Sequence, residues 1–248
     1  MSPRVKRRYD STGRRAASDS TQRRIVEAAT KLFLLDGYGR TSIDAIADAA
    51  HVSPATIYKL FGNKAAIAKR VGDVAVAGDH DEIPLDERDW VQTALDDPDP
   101  AHALRRVVEG GTAVLARITP IIEMADAAAH LEPALAGFVA EGDRGRWHGM
   151  ARFVASLRDR GTLRPGLSID EATDIMWTIQ SPATYGALVL SQGWTFDQYR
   201  AWVLDQLEHA ILAGGVLQRW ATPSDAQRQT PIPKPKPTSR KGGAPGGV

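Results

Sequence analysis

Apolar residues recur along this chain at spacings of three and four, the period of a helix with one buried face. From about residue 20 the stripe is Ile25, Ala28, Ala29, Leu32 and Phe33, and Gly37 stands where a left-handed cap would end it. Ile43, Ile46, Ala47 and Ala50 make a second, shorter face, and Ile57 with Phe61 a third. Ile67, Val71, Val74 and Ala75 carry a fourth to about Gly78. A short helix is expected around residues 90–95, inside an irregular acidic connection over 79–99. Pro100 opens the next helix, through Leu104, Val107, Val108, Gly111, Val114, Leu115 and Ile118. Pro120 is read as the start of another, ending near His130, and Pro133 as the start of a long one closed by Gly161. Ser168 with Glu171 three residues on is a capping box. The helix it opens runs to Ser181-Pro182, where it either kinks or ends and restarts. Thr195 opens the last, through Tyr199, Trp202, Val203, Leu207, Ala210 and Ile211. The pattern predicts an all-α fold.

The stretch 41–64, TSIDAIADAAHVSPATIYKLFGNK, is the most informative. Thr41 or Ser42 can cap its first helix, and Asp44 lies in the first turn, where a carboxylate suits the positive end of the helix dipole. Ala50-His51-Val52 makes a tight turn, after which Ser53 caps a second helix with Pro54 at its first position. Ile57 and Phe61 face inward; Ala55, Thr56, Tyr58 and Lys59 lie on other faces. Small, hydroxylated and cationic side chains on a short exposed helix suit phosphate and base-edge contacts. This is a helix-turn-helix, with its second helix as candidate reader of the major groove. Asn63 can cap a following helix that starts at Lys64, where backbone N–H groups and the dipole favour a phosphate. The candidate DNA-binding set is Thr41, Ser42, Ser53, Ala55, Thr56, Tyr58, Lys59 and Lys64.

At these residues the chain resembles the TetR family of transcriptional regulators. The run Val52-Ser53-x-x-Thr56-Ile57-Tyr58-x-x-Phe61-x-x-Lys64, preceded by Thr41-Ser42-x-x-x-Ile46-Ala47, matches that family's signature in core, cap and surface positions alike. Two positions depart from it. His51 stands where the family usually has Gly, and Leu60 where it often has an aromatic or His that touches the backbone. A looser resemblance to TetR-type regulatory domains runs from Arg164 through Trp177, Tyr185 and Trp194 to Trp202. Together the two resemblances imply a three-helix DNA-binding domain over residues 20–65 and a larger helical ligand-binding and dimerisation domain over 66–220.

Charge sharpens this division. The 248 residues carry a net +1, but residues 1–24 hold eight Arg or Lys against Asp10 and Asp19, and residues 79–99 nine acids against Arg88 alone. Residues 1–19 are expected to be a flexible basic arm, either merely solvated or tracking phosphates beside the reading helix. From about residue 221 the Pro, Gly, Gln and Lys composition cannot form a core, and disorder is expected. Hydrophobic content of 43% and charged content of 25% are those of a globular protein. Without cysteine there is no disulfide framework or thiolate site. No apolar run could span a membrane and the N-terminus has no signal-peptide core, so the expected location is cytoplasmic, with no membrane partner.

The helical remainder offers weaker candidates. Glu123, Met124, Ala127, Trp147, Met150, Met176 and Gln180 could line an effector pocket, although Met and aromatic residues at helical spacing are core more often than pocket. Trp177, Tyr185, Leu188, Trp202 and Leu207 offer more apolar surface than one helix pair can hide, and the resemblance implies that such helices pair across a dimer; an intramolecular core is the competing reading. Glu123, Asp126 and His130 share a helix face, but so common a trio reads as solvated, and no metal or cofactor is expected. No phosphate loop, nucleophile elbow or zinc motif supports an enzyme. The expected function is a homodimeric transcriptional regulator, a repressor released from its double-stranded DNA operator by an unknown small-molecule effector. A constitutive dimeric DNA-binding or architectural protein, or an enzyme with an appended helix-turn-helix, are the alternatives.

Overall fold

The first helix starts earlier than its apolar stripe does. In the computed structural model, which describes residues 11–81 and 83–214, α1 spans Ser11–Asp36 and takes in part of the expected basic arm. A helix once nucleated propagates over good helix formers, so its packed part does not mark its end. Residues 1–10 and 221–248, on which the remaining expectations of a flexible arm and tail fall, lie outside the described residues. Gly37 closes α1 at φ 83°, and α2 (Ile43–Ala50), α3 (Pro54–Phe61) and α4 (Lys64–Ala77) follow. Each begins on a side-chain cap: Ser42 Oγ accepts from Ala45 N at 3.0 Å, Ser53 Oγ from Thr56 N at 3.2 Å, and Asn63 Oδ1 from Ala66 N at 2.8 Å. Ile25, Phe33, Ile46, Ile57 and Ile67 meet as the core of this N-terminal unit.

The α2–α3 turn rests on one residue in the left-handed region. His51 adopts φ 54° and ψ 50°, the one non-glycine at positive φ among the described residues, and its N–H caps α2. The sequence departs from glycine here and the backbone does not. Since His51 is exposed, His51→Gly sacrifices no packing and relieves the Cβ clash of this conformation. It should raise the unfolding free energy by up to about 1 kcal/mol after the entropy glycine adds to the unfolded chain, read as a higher urea midpoint. A lower midpoint would mean that the imidazole itself holds the turn.

Beyond the acidic connection, a 3-10 turn at Leu85–Glu87 leads to α5 (Asp89–Asp96), α6 (Pro100–Ala128) and α7 (Pro133–Asp159). The sequence reading split α6 at Pro120; the helix runs through it. Pro120 removes one N–H from the ladder, yet Leu115, Ile118, Ile121, Met124 and Ala128 keep one buried face without a phase break, and packing outweighs the lost bond. α6 is the central element, in contact with α4, α5, α7 and α10. At Gly72 of α4 a Cβ would stand 2.1 Å from the Phe138 ring of α7, so only glycine leaves room for that ring. α8 (Ile169–Ile179) does end at Gln180, and α9 (Pro182–Tyr185) restarts on a Ser181–Thr184 capping box. It continues as a π-helical segment, Gly186–Ser191, before α10 (Phe196–Ile211). Arg146 of α7 donates to the carbonyls of Trp177 (2.7 Å) and Gln180 (3.2 Å), which α8 leaves unpaired at its end. The described residues lie in one compact unit, so the N-terminal helices and the helical remainder share a continuous core.

Candidate nucleic-acid interface

α3 buries Ile57 completely and turns Ala55, Tyr58 and Lys59 to solvent, Tyr58 with 55% of its surface open. Pro54 and the Ser53 cap fix its start, and Gly62 N donates to Tyr58 O at its end. The helix carries no acidic residue. Thr56 is half-buried and its hydroxyl lies 2.9 Å from Ser53 Oγ, so these two groups hold the helix start while keeping lone pairs to offer. Leu60 packs sideways on the core. Ser42 is exposed at the start of α2, its oxygen engaged with Ala45 N.

Two of the sequence-derived contacts point elsewhere. Thr41 is buried, 3% exposed, and its hydroxyl donates to Gly37 O at 2.9 Å. Lys64 turns its ammonium inward: Nζ donates to Tyr38 O at 2.8 Å and Thr41 O at 2.9 Å, and sits 4.1 Å from the centre of the Tyr38 ring. Burial pushes the Lys64 ammonium below the ordinary lysine range, against the pull of the Glu132 carboxylate. A cation at a helix N-terminus is disfavoured by the dipole, and the two carbonyls of the α1–α2 turn offset this. Lys64 and Thr41 therefore hold the turn together and leave the exposed set to Ser42, Ser53, Ala55, Tyr58 and Lys59. The sequence could not reveal it, because the partner carbonyls lie 26 and 23 residues away.

Residues 25–71 match the family described as bacterial regulatory proteins, tetR family. The match covers α2 and α3 entire, with the caps and the left-handed turn just described. These residues are thus similar to the N-terminal DNA-binding region of TetR-family proteins. Over 68 residues it is 34% identical to the DNA-binding transcriptional repressor TetR of Mycobacteroides abscessus, a stretch that is 27% of this chain and 36% of that relative's length. Two solved structures extend the likeness of fold. SmeT, the repressor of the Stenotrophomonas maltophilia multidrug efflux pump SmeDEF, superposes with a TM-score of 0.61 at 20% identity, covering 83% of this chain and 98% of SmeT. NalD, the secondary repressor of the MexAB-OprM multidrug efflux pump in Pseudomonas aeruginosa, gives 0.57 at 18% identity, over 82% and 100%. The all-helical fold, with an N-terminal helix-turn-helix and a larger helical remainder, is thus shared with SmeT and NalD.

The expected effector pocket does not assemble as one site. Glu123, Met124 and Ala127 line a groove of about 510 Å³ between α6 and the α1–α2 corner. The other four lie elsewhere. Trp147 donates its indole N–H to Asp174 Oδ1 at 2.8 Å, and Met150 packs half-buried on the core. Met176 and Gln180 are buried, Gln180 donating to Val108 O at 2.9 Å. Helical spacing gave each residue a face but not the neighbour of that face. The dimer set needs a similar correction. Leu207 is fully buried in its own protomer, and Tyr185 is 5% exposed with its ring edge-on to Tyr199 at 5.0 Å. Trp177, Leu188 and Trp202 remain half-open. Arg146 stacks 4.5 Å over the Trp177 ring, and Trp202 packs on Trp194. Among the described residues no acid and histidine cluster has the geometry of a metal site, and no helix is long and apolar enough to cross a membrane.

Proposed function

We propose that this chain is a homodimeric, ligand-responsive DNA-binding transcriptional regulator, and a repressor. The observation that carries the reading is the exposed face of α3. Ala55, Tyr58 and Lys59 stand outward on a helix fixed at both ends, inside a TetR-family unit. Lys59 and Tyr58 serve phosphates, while Ala55, with Thr56 beside it, approaches base edges. Repression is the role of the relatives TetR, SmeT and NalD. A SmeT structure with triclosan bound, 23% identical to this chain, supports a fold that admits a small molecule. The half-open Leu188, Trp202 and Trp177 and the exposed Leu190 are the surface proposed for pairing two protomers. An effector acts here only by preferring the protomer spacing that does not fit the operator, because equal affinity for both states shifts nothing. The setting is cytoplasmic.

The test is binding of the purified protein to the DNA upstream of its own gene, across a salt series. Lys59→Ala should lower the log–log salt slope by about one unit per protomer, the signature of a lost phosphate contact. Lys64→Ala should leave that slope unchanged, because its ammonium is committed to Tyr38 O and Thr41 O. A Lys64→Ala slope reduced as much as that of Lys59→Ala would return Lys64 to the DNA face. Absence of any specific complex with that DNA, at low salt and across effectors, would sink the regulator reading for this operator.

A further inference from the structure

The N-terminal three-helix unit is fastened to the helical remainder in two separate places. One is the seam of α4, where the Phe138 ring lies on Gly72 and Arg117 donates to the carbonyls of Ala75 (2.8 Å) and Val76 (3.2 Å) in the last turn of α4. The other is the corner between α6 and α7, which touches the α1–α2 turn. There the Tyr38 hydroxyl donates to Glu132 Oε2 at 3.3 Å, and Leu131 lies against Gly39. Beside the second runs the groove of about 510 Å³, lined by the end of α1 and the end of α6. A body held along one helix can still pivot about it; a second fixing removes that freedom.

We propose that Glu132, outside the helix-turn-helix and on no DNA-facing surface, is a positioning residue that fixes the angle of the reading unit through Tyr38 and Lys64. The path is a continuous chain of contacts. Glu132 accepts from Tyr38; the Tyr38 ring lies beneath the Lys64 ammonium; Lys64 holds the carbonyls of Tyr38 and Thr41, the residues just before α2. Both ends of the helix-turn-helix are gathered at this point, because Thr41 leads into α2 and Lys64 follows α3. The Glu132 carboxylate is the anion of the set and Lys64 its cation, and the carboxylate favours the charged ammonium. Tyr38, its hydroxyl pushed up to about 12 by burial and by Glu132, stays a hydrogen-bond donor at neutral pH. The angle so fixed decides whether two α3 helices meet successive major grooves, which is where this proposal rests on the DNA-binding reading.

The absence of cysteine allows a direct test. Cysteines placed at the exposed positions Ala49 of α2 and Ala140 of α7 accept spin labels, and dilution with unlabelled protein isolates the distance within one protomer. Tyr38→Phe removes one oxygen and keeps the ring under Lys64; Glu132→Ala removes the acceptor; Glu132→Gln keeps a carbonyl oxygen that can accept. The distance distribution should be narrow in the parent, broad in Tyr38→Phe and Glu132→Ala, and narrow again in Glu132→Gln, with unchanged helix content by circular dichroism. Operator affinity should follow, falling about tenfold in the first two variants, the usual worth of a hydrogen bond to a charged group. Unbroadened distributions in Tyr38→Phe and Glu132→Ala would overturn the proposal. Broadening with unchanged operator affinity would overturn its consequence for DNA reading. A parent protein with no operator complex would instead count against the functional reading and leave the distance result to decide the positioning role.

Discussion

Phe33→Ala should cost about 3–5 kcal/mol of unfolding free energy, the range for deleting a buried aromatic ring. Phe33 is 1% exposed at the centre of the N-terminal core, its ring 5.5 Å from that of Tyr38. The small three-helix unit has few other large side chains to collapse into the void. A loss of that size is a substantial part of the stability of a typical domain. DNA binding should therefore disappear while much of the helical signal from α6, α7 and α10 persists. Urea titration followed by circular dichroism and by DNA anisotropy measures both. Phe33→Leu, which retains most of the volume, should bind DNA nearly as the parent does. A cost below about 1 kcal/mol for Phe33→Ala would show that this ring is not the keystone of the unit.

Charging the proposed dimer face should be as damaging to DNA binding while sparing the fully buried residues of the protomer. Leu190 is 46% exposed and Leu188 half-buried on the same π-helical segment, so glutamates there meet solvent in a monomer and an apolar partner face in a dimer. Trp202 is a poorer probe than the sequence suggested, because it packs on Trp194 and Tyr199 and its loss would disturb α10 itself. The double variant Leu188→Glu, Leu190→Glu should sediment as a monomer with unchanged helix content by circular dichroism. Two recognition helices set one DNA turn apart, about 34–36 Å, bind as a linked pair. Separating them should weaken operator binding by about a hundredfold or more, through loss of effective concentration rather than of any contact. A dimer that survives both glutamates would place the pairing face on other helices.

Much of the molecule is local, and local features are legible in a sequence. Ser42, Ser53, Asn63, Ser168, Ser181 and Thr195 cap their helices because a hydroxyl or amide oxygen reaches an N–H two or three residues on, whatever surrounds it. Gly37 and Gly161 end helices at positive φ for an equally local reason. The left-handed His51 was legible only through the resemblance, which sets His51 where the family usually has Gly. The buried positions Ile25, Phe33, Ile46 and Ile57 follow from period alone, because each stripe has one face that must leave water.

What period and caps leave open is which faces meet. The sequence alone determined an all-α chain, a helix-turn-helix in residues 41–64, and the outward Tyr58 and Lys59, all fixed by interactions within about one turn of helix. The tertiary structure alone decided that α6 runs straight through Pro120, since the packing that outweighs a missing N–H comes from helices distant in the chain. It also decided that Leu207 and Tyr185 lie inside the protomer and that Gln180 reaches Val108 O across 72 residues. Lys64 is the clearest case. Sequence gives it a cation at a helix start, where a phosphate is the expected neighbour; the fold brings Tyr38, Thr41 and Glu132 to that place first. A long flexible side chain carries no local signal for its partner, because its reach exceeds the range over which neighbours in sequence remain neighbours in space.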